Sequence, residues 1–322
     1  MVRLVRHRYK ERPAIGEELN MLIVEQFRKC VTFMLLDVPD NQTGTVRRIP
    51  AATAFFVSVP IGDEYPVVYA VTARHVIYRS RPYGPIYIRI NAADGTFQDI
   101  QVAQDSWVAH PSTDVAVTRV TLPFEGFDLK AIPLSMLATD EYVAQRNIRE
   151  GDEVFFVGLF SQFPGRERNQ PIIRFGNISL MPREKVPARL NPDSDAMTLI
   201  DAYLIEARSW GGHSGSPAFI YFPSDREPGQ FMIGIGVQRT ALLGLVHGHY
   251  EIEQDVAFIG DILGSGKVPL NAGVAMVVPA QEIIDTLMQE ELVQERNKIV
   301  EQVRKRGSAP KADAGLTEPP EA

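Results

Sequence analysis

A chain of 322 residues, 45% hydrophobic and 23% charged, has ample material for a core and reads as one large domain or two smaller ones. Its net charge of −7 lacks the basic excess that nucleic-acid binding usually shows, so no nucleic-acid partner is expected. The single cysteine, Cys30, cannot close an internal disulfide; it is expected to be a small buried hydrophobe, and stability should not depend on an oxidising compartment.

The first residues, MVRLVRHRYKER, read as a basic, solvated end. Leu19, Leu22, Ile23 and Phe27 then fall at helical spacing, so residues 1–30 are expected to form a partly helical N-terminal extension. No apolar run followed by a small-residue cleavage site marks a secretory signal. The most apolar stretch, MLIVEQFRKCVTFMLLDV, is broken by Glu25, Gln26, Arg28 and Lys29, too soon for a membrane span. A soluble, cytoplasmic protein without a membrane partner is the expectation.

From residue 31 the texture changes. Short runs such as VTFMLL, ATAFFVSV, DVAVTRV, DEVFFVGL and SPAFIYF alternate with Gly, Pro, Asn and Asp, which is the pattern of an all-β sandwich or barrel. The stretch 122–150, with Pro123 and Pro133 and a helical pattern near 134–147, reads as a link between two β halves, 31–121 and 151–280. After Pro279 the periodicity is helical: Ile283, Ile284, Leu287, Leu292 and Val293 share one face of a helix expected over 281–306. That helix can pack on the barrel or mediate self-association. Residues 307–322 are small, polar and proline-bearing, and are expected to be disordered.

The segment SWGGHSGSPAF, residues 209–219, is either an ordinary glycine-rich turn or a backbone shaped to present a hydroxyl. A serine nucleophile needs an imidazole to take its proton, and the imidazole needs an acceptor to fix its tautomer. His75, in AVTARHVI after an apolar run, is placed to offer that imidazole at a barrel rim, and Asp114, which opens the alternating strand of HPSTDVAVTRV, to offer that acceptor. Taken singly, His75 reads equally as a buried histidine satisfied by backbone, and Asp114 as a turn-ending aspartate.

Together, TARHV, TDVAV and GHSGSP occur in the order His, Asp, Ser and resemble the trypsin-like serine peptidases of the chymotrypsin fold. GDEVFFVGLF, FGNISL, LLGLVHG and AGVAMVVP extend the resemblance over roughly residues 31–280. It implies two six-stranded antiparallel β-barrels with the site between them and a protein or peptide substrate. It also implies a catalytic triad of His75, Asp114 and Ser214, with the backbone N–H groups of Gly212 and Ser214 as oxyanion hole. No cofactor and no metal are implied. The chain resembles bacterial intracellular protease domains of the Deg type, and residues 280–322 are too few for the PDZ peptide-binding domain that often follows them.

Several residues depart from the family pattern or compete with it. Ser216 and Ser209 flank the candidate nucleophile; Ser216 reads as a small loop filler and Ser209 lies outside the tight turn. His213 stands where secreted digestive members carry an aspartate that pairs with a freshly cut N-terminus, so activation of that kind is not expected; it reads as a loop-stabilising or a surface residue rather than a second base. Arg208 resembles a residue at the floor of the primary substrate pocket and would favour an acidic P1 side chain. His247 and His249 fall on what resembles the pocket-wall strand, where alternation puts both on one face; they read as pocket lining, as a His-x-His metal pair or, ahead of either, as a solvated strand face, and with no further ligand cluster in the sequence no zinc site is expected. GSGK at 264–267 resembles a phosphate loop but lacks its first glycine and its Ser/Thr after the lysine. A second class of function stays open: a trypsin-fold protein that binds peptides or partners and cleaves poorly or not at all.

Overall fold

The structure is a computed structural model that describes residues 25–307 apart from 41, 63–64, 123–124, 192–193, 195, 208–211, 223–239 and 258–264. The described N-terminal residues form α1, Glu25–Lys29; the helical spacing of Leu19, Leu22 and Ile23 and the tail at 308–322 lie outside the described residues.

The first half is built from β1 (Val31–Pro39), β2 (Val46–Ile61), β3 (Tyr65–Thr72), β4 (Ile86–Asn91), β5 (Phe97–Val102), β6 (Val108–Ala109), β7 (Ala116–Arg119) and β8 (Ile132–Pro133), with α2 (Arg74–Ser80) after β3. These strands form one sheet in the order β5-β4-β1-β2-β3-β7-β6, with β8 pairing parallel to β2. Eight strands take part where six were expected. The long β2 accounts for much of this: it pairs with β1 through Val46–Phe55 and with β3 through Phe55–Ile61, so the sheet curls around it.

The expected link contains β8, a 3₁₀ turn at Leu134–Met136 and α3 (Asp140–Gln145), capped by the Thr139 side chain accepting from Tyr142 N–H. The second half comprises β9 (Glu153–Gly158), β10 (Ile172–Leu180), β11 (Val186–Ala188), β12 (Thr198–Ile200), β13 (Tyr203–Glu206), β14 (Pro217–Tyr221), β15 (Thr240–Ala257) and β16 (Ser265–Pro279). Six of these close as the barrel β10-β13-β16-β15-β14-β9, and β11 pairs with β12 beside it. The glycine–lysine run after residue 264 opens strand β16 and forms no phosphate loop.

Alternation decides what is buried. In β4 every second residue, Ile86, Ile88 and Ile90, faces inward. Both halves feed one core, which holds Phe33, Phe55 and Tyr69 from the first and Phe155 and Phe219 from the second. Phe155 and Phe219 stack at 5.1 Å, and Phe27 of α1 meets them edge-on at 5.3 and 4.8 Å. Cys30 is buried as expected; burial pushes its thiol up to about 12 although Lys130 opposes this.

The C-terminal segment is two helices, α4 (Ala280–Leu287) and α5 (Glu290–Gly307). α4 buries Ile283 and Leu287 and lies against β7 of the first half and β15 and β16 of the second, so it packs across both halves. Arg296 of α5 is buried and donates to the Tyr69 hydroxyl at 3.2 Å, while Glu295 pairs with Arg119 at 2.6 Å. Among the described residues no helix is long and apolar enough to cross a membrane.

Candidate active site

Where β3 ends, Ala73 adopts an extended conformation and starts α2 without a side-chain cap of its own. The second residue of that helix is His75, whose backbone N–H has no intrahelical acceptor. Asp114 supplies one: Oδ1 accepts from His75 N–H at 2.8 Å. Its other oxygen, Oδ2, lies 2.7 Å from His75 Nδ1. One carboxylate thus caps the helix and orients the ring that the helix carries. Asp114 sits in a bend two residues before β7, rather than on the strand it was expected to open.

His110 and Arg74 hold that bend. His110 Nδ1 accepts from the N–H groups of Ser112 and Thr113 at 3.2 and 3.1 Å, and His110 N–H donates to Val115 O at 2.8 Å. Arg74 Nη1 donates to the carbonyls of His110 and Pro111 at 2.8 and 3.0 Å.

A third group completes the cluster. His247 Nδ1 lies 2.5 Å from the same Asp114 Oδ2, and its ring stands 5.0 Å from that of His75 at 70°. The register of β15 explains the reach. Val246 pairs with Val277 and Gly248 with Met276, so His247 is the extra residue of a bulge. A bulge re-aims its side chain out of simple alternation. His247 lines the cleft, as a wall residue would, and its ring also turns to the carboxylate.

Asp114 is fully buried and His75 nearly so. Burial alone would push the Asp114 carboxyl up, but the adjacent His75 and His247 imidazoles and their hydrogen bonds hold it below the ordinary carboxylate value. The site therefore keeps an ionised carboxylate away from water.

Ser214 comes from the other half. His213 O accepts from Ser216 N–H at 2.9 Å, closing a turn with Ser214 and Gly215 in the middle. Gly215 has φ +83°, the sign a type II turn requires at that position. A side chain there would also collide: its Cβ would lie 2.2 Å from Thr53 O and 2.4 Å from Thr72 Oγ1. Gly212, with φ +101°, likewise needs a conformation that L side chains rarely adopt.

Thr53 of β2 ties this loop to the first half. Its hydroxyl donates to Gly212 O at 2.7 Å and accepts from Leu159 N–H at 2.9 Å, and its backbone N–H donates to Ser214 O at 3.1 Å. Gly215 N–H donates to Val246 O, and Val246 N–H to Ser216 O, each at 2.8 Å, which tie the loop to β15. The backbone N–H groups of Gly212 and Ser214 have no acceptor among the described residues.

Ser214 Oγ donates to the backbone carbonyl of His247 at 3.0 Å. Among the described residues no hydrogen bond joins it to His75. Both residues, with His247 and His249, line one cavity of about 670 Å³. Ser216 is fully buried, as a loop filler would be. His213 is buried edge-on against Phe156 at 5.5 Å, so the surface alternative for it falls and the loop-stabilising one stands. Arg208 and Ser209 lie outside the described residues.

The sequence marked His75, Asp114, Ser214 and Gly212 but passed over the parts played by Thr53, His110 and Arg74 and the reach of His247 to Asp114. Thr53 and His110 have no local signature, since their partners are remote or main-chain. The HGH of β15 was a signal, but alternation pointed both imidazoles along the strand face instead of one toward Asp114.

No curated protein matches the chain. Two of the solved structures similar to it are proteases. The active form of the Rv3671c protease from M. tuberculosis is 19% identical, with a TM-score of 0.47, over 88% of this chain and 93% of that one. The MamO protease domain from Magnetospirillum magneticum, apo form, is 14% identical, with a TM-score of 0.45, over 82% of this chain and 99% of that one. The sequence profile described as "Trypsin-like peptidase domain" matches residues 52–220, just over half of the 322, a span that holds His75, Asp114 and Ser214. The chain belongs to the trypsin-like peptidase domain family.

Proposed function

We propose that the protein is a serine endopeptidase that hydrolyses peptide bonds through a His75–Asp114–Ser214 triad and an acyl-enzyme intermediate. The observation that carries this reading is the buried Asp114 Oδ2 at 2.7 Å from Nδ1 of His75, whose side chain lines the cavity that Ser214 also lines. An Nδ1–H bonded to Asp114 leaves Nε2 of His75 unprotonated, the form a general base needs. Ser214 Oγ turns about its Cα–Cβ bond from the His247 carbonyl toward Nε2 and attacks the scissile carbonyl. The proton goes to His75 and then to the leaving amine. Asp114 steadies the imidazolium formed in between. The N–H groups of Gly212 and Ser214, without an acceptor among the described residues, receive the developing oxyanion, each donor typically contributing about 10²–10³ in rate. Water then repeats the sequence on the acyl-enzyme and frees Ser214.

One observation favours the second reading, a trypsin-fold binding protein that cleaves weakly: the Ser214 hydroxyl is engaged by the His247 carbonyl at 3.0 Å. A fluorophosphonate separates the two, because it reacts only with an activated serine. The wild type should label, and Ser214→Ala or His75→Ala should abolish labelling. A folded wild type that never labels would favour the binding protein. Labelling that survives Ser214→Ala would mean that another serine is the nucleophile.

A further inference from the structure

We propose that His75, Asp114 and His247 form a binding site for a divalent cation of the zinc class, and that its occupancy switches the peptidase site off. The second half of this proposal rests on the serine-peptidase reading; the first does not.

One ligand atom from each of His75, Asp114 and His247 converges here, all within 4.8 Å of one another, and Nδ1 of both rings already meets Asp114 Oδ2. Two imidazoles and one carboxylate are a donor set that zinc takes with a fourth position left open. The cavity of about 670 Å³ in front of His75 and His247 gives an ion a path in and a water a place in that fourth position. His75 and Asp114 alone would supply only two ligands. His247, the bulged residue of β15, makes the third.

The fit needs little movement. Zinc holds imidazole nitrogen and carboxylate oxygen at about 2.0–2.2 Å, so tetrahedral ligands stand about 3.3–3.6 Å apart. The contacts to Asp114 Oδ2 are now 2.7 Å from His75 and 2.5 Å from His247. Parting each by about 0.6–1.1 Å, and bringing the two ring nitrogens from within 4.8 Å to the same separation, forms the site. Asp114 Oδ1 keeps its bond to the His75 backbone N–H at 2.8 Å, an outer-shell contact that holds the carboxylate while Oδ2 turns to the ion.

Two N–H···O hydrogen bonds are exchanged for two metal–nitrogen bonds and one metal–oxygen bond, with no change of oxidation state. Each neutral ring must give its Nδ1 lone pair to the ion, so its proton passes through solvent to Nε2. The proton count is unchanged. For His75 this tautomer is decisive, because an Nε2 that already bears a proton cannot take the one on Ser214. The ion therefore disables the base without needing to block the cleft.

The test begins with zinc titrated calorimetrically into the full chain carrying Ser214→Ala, which keeps all three ligands and cannot cleave itself. One saturable site per chain is expected, and adding His247→Ala should weaken it at least tenfold. Undiminished affinity in that variant, or no saturable binding at all, overturns the site. Should His247→Ala lower the melting temperature of the metal-free protein, His247→Gln is measured instead and must weaken zinc to the same degree. In the wild type, zinc should suppress fluorophosphonate labelling and EDTA should restore it. Labelling that continues at saturating zinc overturns the switch but not the site. A wild type that binds zinc through these residues yet never labels removes the serine-peptidase reading and leaves the metal site standing.

Discussion

The two sides of the cleft are held by different means. On the first-half side, side chains do the positioning: Asp114 bonds the backbone and ring of His75, and His110 and Arg74 brace the bend that carries Asp114. On the second-half side, backbone geometry does most of it: Ser214 sits in a loop where Gly212 and Gly215 have φ of +101° and +83°, and the loop carbonyls are held by the Thr53 hydroxyl and N–H and the Val246 N–H. Changing one side-chain functional group on the first side should therefore alter chemistry and spare the fold. On the second side, adding one methyl group at a glycine should damage both.

The strongest break in this contrast is Asp114→Asn. The amide keeps an oxygen for the His75 backbone N–H but turns a donor toward Nδ1 and stabilises the wrong tautomer. A fall in kcat of about 10⁴ is expected with the circular dichroism spectrum unchanged. A wild-type kcat would remove Asp114 from the mechanism.

Gly215→Ala tests the other side. Its Cβ would meet Thr53 O at 2.2 Å with φ at +83°, so a loss of about 1–3 kcal/mol in denaturant titration should accompany loss of labelling. Gly62→Ala is the control, since at φ +60° nothing lies within 4 Å of the added Cβ. Only the backbone penalty applies there, and labelling should persist. Equal effects at the two glycines would show that the collision with β2 is not what fixes the Ser214 loop.

His247→Ala sharpens the contrast, because it removes a second-half side chain from a first-half carboxylate. Loss of one hydrogen bond to a charged acceptor, about 1.5 kcal/mol, predicts about a tenfold lower kcat in the absence of metal. An unchanged kcat would reduce the contact to packing.

The smallest expected effect lies outside the cleft, where His110 Nε2 meets Glu282 Oε2 of α4 at 3.3 Å. Burial holds His110 below its ordinary 6.5, although Asp285 opposes this. Below pH 6.5 the unfolded chain therefore binds a proton that the folded chain resists, and stability is lost as pH falls through that window. Burial, with help from Asp285, raises Glu282 above its ordinary 4.5, so its contribution runs the other way and is lost as pH rises through the raised value. Burial thus opposes the charged form of both groups. His110→Gln should flatten the acid-side fall of the melting temperature, and Glu282→Gln the opposite slope. A melting curve indifferent to both changes would detach this pair from the docking of α4.

The parts that were legible in the sequence share a cause. Strand alternation such as Ile86, Ile88, Ile90, the helical face of Ile283 and Leu287, and the glycines flanking Ser214 are local consequences of backbone geometry, and neighbouring residues suffice to reveal them. The doubling of Asp114 as helix cap and ring acceptor was not legible, because nothing near TDVAV indicates that α2 begins beside it. The eight strands of the first half were likewise hidden, since β2 reads as ordinary runs until its two partners are known.

By itself, then, the amino-acid order determined an all-β chain with a helical C-terminus, and a histidine, an aspartate and a glycine-flanked serine in the order a peptidase of this family uses. Only the tertiary structure decided that His247, 133 positions from Asp114, shares an oxygen with His75, and that Thr53 anchors a loop 159 positions away. The physical reason is that a bulge and a long-range hydrogen bond depend on which strands become neighbours. Pairing between remote strands is set by the whole core, not by the residues that profit from it.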